Sequence, residues 1–348
     1  MPVTLSDVAR LAGVSEATAS RVMNGRRYVA AVTRSRVEAA ARQLQYVPHR
    51  AARDLSLART ATVALLVHHA QYPPGGEGTF AGRVLDGVAR ALDERGYDLL
   101  YLAVGDDATS RLRSLATIHE GRADGALLLG PAFPAEGIAA LGATGRPLVL
   151  IDNRLPGIDA VLADNRSGTT RLVRHLVLEH GYRRLGCLAG PASWPSTVER
   201  VSATRRVASA NGAEVRVVHA RETTMRDGAD AVVELLDELP DAIVAVNDAM
   251  ALGAMHRLRS FRGSRRVAIV GHDDIAWAQL ADPPLTTVRV DAVGMGAAAA
   301  GLLLDRIADR DGRDLPAREV RVPATLRVRR SCGCAENPTT PNDRVERG

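Results

Sequence analysis

Polar residues that could do chemistry stand at the ends of apolar runs. PLVLI leads into Asp152, DAIVAV into Asn247, and RVAIV into Gly271-His272-Asp273. The carboxyl ends of strands are where open parallel sheets place their ligands. No Gly-rich phosphate loop, metal-ligand spacing or nucleophile–base motif accompanies these residues, which argues against catalysis. The three cysteines, Cys187, Cys332 and Cys334, are too few for a disulfide framework. Cys332-Gly-Cys334 lies beside a polar tail with no second ligand pair next to it in sequence. Reduced thiols are therefore expected, and neither a metal nor a cofactor is assigned.

The elements that must present those polar ends are legible as apolar runs of strand length. They are TVALLV at 62, DLLYLA at 98, GALLLG at 125, PLVLID at 147, RLGCLAG at 184, DAIVAVN at 241 and RVAIVG at 266. Near-continuous apolar strands alternating with helical stretches imply parallel sheets covered on both faces.

The first sixty residues read differently, as short helices with no strand between them. Thr4-Leu5-Ser6-Asp7 has capping-box spacing, so a helix is expected from about Leu5 to Ala12. Gly13 supplies a turn and Ser15 is placed to cap a second helix, Glu16 to Met23. Two helices so joined make a helix-turn-helix unit. Val37, Ala40, Ala41 and Leu44 fall at i, i+3, i+4, i+7, so a third helix can cover the pair. Pro48 closes this head, and the stretch from His49 to Arg59 should be a marginal helix on its own.

Charge separates the two regions. All 45 basic residues are arginine; residues 1–60 hold ten of them against four acids, a net of +6, while the remainder holds 35 against 36, a net of −1. The positive field belongs to the head. Hydrophobic residues make up 46% of the 348-residue chain, and no apolar run approaches the roughly 18 residues of a membrane span. With no signal-peptide core at the N-terminus, a cytoplasmic, nucleoid-associated protein without membrane contact is expected.

Taken together, these strings resemble the lactose-repressor (LacI/GalR) family over roughly residues 4 to 332. The head matches in TLSDVARLAGVSEATASRVMNG, YVAAVTRSRV and YVPHRAARDL. The core matches in LVLIDNR, Asp164-Asn165-Gly168, Gly190 with Arg200 ten residues on, AVNDAMALGAM and VGHDDIAWAQLADPPLTTVR. The resemblance implies an all-α helix-turn-helix DNA-binding head (1–48) and a hinge helix or linker (49–60). A periplasmic-binding-protein-like α/β core of two doubly wound parallel-sheet lobes follows (61–330), then a disordered polar tail (331–348). It also implies a homodimer on a near-palindromic operator, most simply a repressor, controlled by a small-molecule effector bound between the lobes.

Residue by residue, the resemblance makes Glu16, Ala17 and Arg21 the base readers. Arg21 is suited to a bidentate contact with guanine O6 and N7, and Glu16 to accepting from a cytosine N4. Ser15, Thr18, Ser20 and Asn24 would hold phosphates or support the helix, with His49 and Arg50 beside phosphates. Leu55 would be the wedge that opens a pyrimidine–purine step at the operator centre. The effector cleft would comprise Phe80, Asp152, Trp194, Ser196, Arg200, Asn247 and Asp273, with Arg200 and Asp273 at the rim. Such carboxylates with an arginine suit vicinal hydroxyls, and the aromatics an apolar ring face, so a carbohydrate is expected. Plainer roles are open to some: Trp194 as core, Asn247 or Asp273 as helix caps.

The chain departs from the family pattern at Val290, Thr223 and the loop QYPPGGEG, all around the pocket, and at Ala30-Ala31, where a capping pair is usual. A purine or other non-sugar effector on the same scaffold is the alternative. An enzyme would leave the basic head unexplained, and a solute-binding protein would need an export signal and no such head.

Overall fold

The computed structural model describes residues 3–23, 29–46, 60–68, 79–105, 108–260, 267–309 and 315–335. They form two units, one up to Ala61 and one from Thr62 onward. The first is all helical: α1 (Leu5–Ala12), α2 (Glu16–Met23) and α3 (Ala31–Gln43). The capping box at the start of α1 is made. Asp7 N donates to Thr4 Oγ1 (3.3 Å) and Thr4 N to Asp7 Oδ2 (3.0 Å). Ser15 Oγ accepts from Thr18 N (3.2 Å) at the start of α2, whereas α3 has no side-chain cap, as Ala30 dictates. Val8, Ala9 and Ala12 of α1, Ala19 and Val22 of α2, and Val37, Ala40 and Ala41 of α3 close into one small core.

The second unit holds two six-stranded sheets. In chain order its elements are β1 (Thr62–His68), α4 (Phe80–Asp93), β2 (Asp98–Val104), α5 (Ala108–His119), β3 (Gly125–Leu129), α6 (Ala135–Gly142), β4 (Leu148–Ile151), β5 (Asp159–Ala163) and α7 (Asn165–Arg174). A π-helical turn (His175–Glu179) extends α7 and leads to β6 (Arg184–Ala189), α8 (Pro195–Ala210), β7 (Glu214–His219), α9 (Met225–Ala231), β8 (Ala242–Ala245), α10 (Asp248–Arg259) and β9 (Ala268–Asp273). Then come β10 (Thr286–Val290), α11 (Ala292–Ala308), β11 (Glu319–Val322) and β12 (Ala324–Arg327).

The first sheet runs β11-β5-β4-β3-β1-β2 and is parallel throughout; the second runs β12-β10-β9-β8-β6-β7. The second lobe departs from a purely parallel sheet at its edge, where β12 pairs antiparallel with β10. The chain thus passes between lobes three times, after β5, β10 and β11. All seven apolar runs are strands, and β3, β4 and β8 are buried along their whole length. The runs missed five strands: β7, β11 and β12, whose edge positions leave most of their residues at least partly exposed, β10, whose buried Thr286 and Thr287 hide its apolar character, and β5, which is wholly buried but short and opens on Asp159.

α11 returns to the first lobe and crosses α4 at a pair of glycines. A Cβ on Gly87 would lie 2.0 Å from Val293 O, and one on Gly296 would lie 2.1 Å from Val84 O, so only glycine lets these backbones touch. The core extends beyond the boundary drawn at residue 330. Ser331 and Cys332 are buried, with Ser331 Oγ donating to Ile269 O (2.5 Å) and accepting from Thr286 N (2.8 Å), so 331–335 are an ordered part of the second lobe. Residues 336–348 lie outside the described residues.

Candidate functional site

Four of the expected cleft residues meet in one buried cluster that joins the two lobes. Asp152 follows β4 in the first lobe, Ser196 and Arg200 ride on α8 in the second, and Asp273 ends β9. Ser196 Oγ donates to Asp152 Oδ2 across the lobes (3.4 Å), and Arg200 Nη2 lies 3.4 Å from Asp273 Oδ1. Arg200 and Asp273 are therefore on the floor of the site, 8% and 7% exposed, rather than at a rim. The helix that carries Arg200 pulls it inward, where its Nε donates to Asn165 Oδ1 (2.9 Å) and its Nη1 to Val246 O (2.5 Å).

The backbone at these carboxylates is unusual. Asp152 (φ +57°), Asp273 (φ +108°) and Asp274 (φ +52°) all take left-handed conformations, which cost about 1–3 kcal/mol each in a non-glycine residue. Strain gathered at strand ends marks a site that the surrounding packing holds in place.

Burial dominates the electrostatics. It pushes the Asp152 carboxyl up to about 7, with Arg200 drawing it down and Asp273 raising it further. The same burial, helped by the Arg200 charge, holds His272 at about 4 although its Nδ1 sits 3.0 Å from Asp273 Oδ1. His272 is thus neutral near pH 7, its Nδ1–H given to Asp273, and its buried Nε2 has no hydrogen-bond partner among the described residues. Behind it, Asp248 is wholly buried and its carboxyl lies well above the usual range, first through burial and then through Asp273. It accepts from Thr287 Oγ1 (2.5 Å) and Ile275 N (2.9 Å).

The other expected residues stand nearby in plainer roles. Asn247 caps α10, accepting from Met250 N (2.8 Å) and donating to Thr223 O (2.9 Å). Asp273 caps no helix; the short 3₁₀ turn after β9 begins at Ala276 without a side-chain cap. Phe80 opens α4 and packs into the core of the first lobe, and Trp194, 8% exposed, stands at the N-terminus of α8 against Gly190.

Sequence reading gave no role to the residues that tie this cluster together. Asn165 also donates to Glu199 Oε2 (3.1 Å), and Glu199 reaches Arg321 (3.2 Å) and Arg154 (3.8 Å) of the first lobe. Arg83 of α4 donates to Asp274 O (3.1 Å) and Val290 O (3.3 Å). Asp164-Asn165 and Asp248 stood inside quoted motifs without an assigned role; Arg83 and Glu199 had no local signal, since their partners lie tens to hundreds of residues away.

In the helical head, Glu16, Ala17 and Arg21 share the exposed face of α2, opposite buried Ala19 and Val22. Ser15 is exposed, Thr18 and Ser20 are half-buried, and the Ser15 and Thr18 hydroxyls lie 2.9 Å apart, which fixes the start of the helix. Asn24, His49, Arg50 and Leu55 lie outside the described residues.

Comparison with known proteins covers both units. Residues 4–49 match the bacterial regulatory proteins of the lacI family, and residues 173–332 match a periplasmic binding protein-like domain. The chain is 38% identical over 317 residues to the HTH-type transcriptional regulator CelR of Thermobifida fusca, covering 87% of this chain and 92% of that protein. It is 31% identical over 323 residues to the HTH-type transcriptional repressor PurR of Vibrio atlanticus, covering 88% and 93%. Among solved structures, a CelR–cellobiose complex aligns with a TM-score of 0.70 at 33% identity, over 94% of this chain and 99% of that one. The lac repressor dimer bound to operator and the anti-inducer ONPF aligns with a TM-score of 0.82 at 26% identity, over 95% and 99%.

Proposed function

The chain belongs to the lacI family of bacterial regulatory proteins, and from that premise we propose that it is a cytoplasmic, homodimeric repressor whose hold on a near-palindromic operator is set by a sugar bound between its lobes. It is a DNA-binding regulator under effector control. In this reading α2 enters the major groove with Arg21, Glu16 and Ala17 toward the bases, and residues 49–60 link the head to the core. It has no catalytic role.

The observation that carries the effector assignment is the buried Asp152–Ser196–Arg200–Asp273 cluster, which takes one member from the first lobe and three from the second. Sugar hydroxyls donate to carboxylates and accept from a guanidinium, so one ligand would replace the long Ser196–Asp152 and Arg200–Asp273 contacts with shorter ones. Phe80 and Trp194 offer apolar faces for ring C–H groups. The CelR–cellobiose complex makes a disaccharide the first probe.

The test is calorimetry of the full chain with cellobiose, ribose and a purine base, alongside operator titrations with and without each. A sugar should bind and change operator affinity by about 5- to 150-fold, the usual span of a coupling free energy. A purine acting in its place would move the effector to the non-sugar class on the same scaffold. No response to any sugar would overturn the carbohydrate assignment.

A further inference from the structure

Four side chains that can ligate a metal converge at the C-terminal end of α7, none of them among the expected cleft residues. Cys332 and Cys334 come from the segment after β12, and His175 and His180 bracket the π-helical turn. All four ligand atoms lie within 4.8 Å of one another. We propose that Cys332, Cys334, His175 and His180 form a structural zinc site that clamps the segment after β12 to the end of α7.

Four of the six distances between ligand atoms are close to the edges of a tetrahedron, and the other two lie within 4.8 Å, so the site needs only a small inward shift to close. His175 Nε2 and His180 Nε2 are 3.2 Å apart; His175 Nε2 is 3.4 Å from Cys332 Sγ and 3.8 Å from Cys334 Sγ; His180 Nε2 is 3.5 Å from Cys334 Sγ. Zinc bonds of about 2.0–2.1 Å to nitrogen and about 2.3 Å to sulfur give tetrahedral edges of about 3.3 Å for N···N and about 3.6 Å for N···S. Two thiolates and two neutral imidazoles also cancel the charge of Zn²⁺, and a soft thiolate–imidazole set prefers zinc to magnesium or calcium. Four protein ligands leave no open position, so the role is structural.

The surroundings orient each ligand. His175 Nδ1 lies 2.7 Å from Glu179 Oε2, so it donates there and turns an Nε2 lone pair toward the cluster, as zinc-bound histidines commonly do. His180 stacks on Tyr182 (ring centroids 5.2 Å apart, planes 10° apart), and the Tyr182 hydroxyl donates to Cys332 O (3.0 Å). Gly333 permits the turn between the cysteines: its φ is +105°, and a Cβ there would lie 2.8 Å from the Tyr182 hydroxyl. The π turn is the decisive element. Residues five apart on a regular α-helix point about 140° away from each other, whereas the wider π turn, bonded i to i+5, brings them much closer to one side. Cys332 and His175 are buried, Cys334 and His180 half-buried, and Cys334 borders a cavity of about 730 Å³ that leaves a route for the ion.

The full chain, purified under reducing conditions and passed over a desalting column, should carry one zinc per chain by elemental analysis. After chelation, Co²⁺ added alone should give thiolate-to-cobalt charge transfer and tetrahedral d–d bands, which Zn²⁺ then abolishes. Cys334→Ser and His180→Gln should lose the cobalt spectrum, while Cys187→Ala, which alters the cysteine outside the cluster, should keep it. Glu179→Gln should weaken zinc about 10- to 100-fold, the usual effect of losing a carboxylate behind a histidine ligand. The thermal midpoint should fall on chelation and recover with zinc. Circular dichroism and operator binding identify any variant that has failed to fold, and metal uptake by the wild-type chain decides the matter without a variant. Substoichiometric zinc with no cobalt spectrum from freely reactive thiols, or a Cys332–Cys334 disulfide persisting in the reduced preparation, overturns the site.

Discussion

Asp152 is the side chain whose protonation matters most near neutral pH. Its folded value of about 7 lies above the usual 3.8, so between these two the folded chain holds a proton that the unfolded chain releases. The stability that this group contributes is fully present below about 3.8 and is lost as pH rises through about 7. His272 runs in the opposite sense. Its folded value near 4 lies below 6.5, so its contribution is present above 6.5 and lost as pH falls toward 4. Asp152→Asn removes the first effect and leaves the second. At pH 8 the variant should be the more stable protein, by up to about 4 kcal/mol for a shift of this size, and the gap should close by about pH 4. Urea unfolding of both proteins at pH 4, 6 and 8 reads this directly; a gap independent of pH would show that Asp152 is solvated in the folded state.

At the scale of elements, α2 divides its labour cleanly: Ala19 and Val22 seal the head, and Arg21 is left exposed beside Glu16 and Ala17. Arg21→Ala should therefore spare folding and weaken operator binding by about 1–3 kcal/mol, with relaxed preference at one base pair per half-site. Equal losses on operator and random duplexes, measured at one salt concentration, would reduce Arg21 to a phosphate contact. Two other elements are defined by close approach rather than by composition. The α4–α11 crossing depends on Gly87 and Gly296 meeting backbone, and the turn after α7 depends on one π-helical step that aligns His175 with His180.

Across the whole core, polar contacts that tie the two lobes include Ser196 to Asp152, Glu199 to Arg154 and Arg321, and Arg83 to the carbonyls of Asp274, just after β9, and Val290, at the end of β10. Two of these are ion pairs whose arginines are partly exposed and the rest are single hydrogen bonds, all individually weak, so on the proposed reading a ligand that gains a few kcal/mol by bridging Asp152 to Arg200 and Asp273 would outweigh them. Asp273→Asn should weaken sugar binding by about 10-fold or more, and the operator response at a fixed, subsaturating sugar concentration should shrink with it. Linkage requires the factor by which sugar changes operator affinity to equal the factor by which operator changes sugar affinity, and calorimetry with and without operator measures both. Wild-type sugar affinity in the variant would remove Asp273 from the pocket. The sequence by itself determined the helical head, with α1 and α2 as drawn from their caps, and the seven strands that coincide with apolar runs, six of them inside their sheets and β2 at an edge. Those features rest on local chemistry: a hydroxyl three residues from an acid, and side chains buried on both faces of a sheet. Tertiary structure alone decided the edge strands β7, β11 and β12, the buried rather than rim position of Arg200, the capping role of Asn247, and the company that Cys332 and Cys334 keep. Asn247 caps locally, on Met250 N, but its second bond reaches Thr223 O; Arg200 depends on Val246 and Cys332 on His175, and spacing along a sequence carries no record of such distant meetings until the chain has folded.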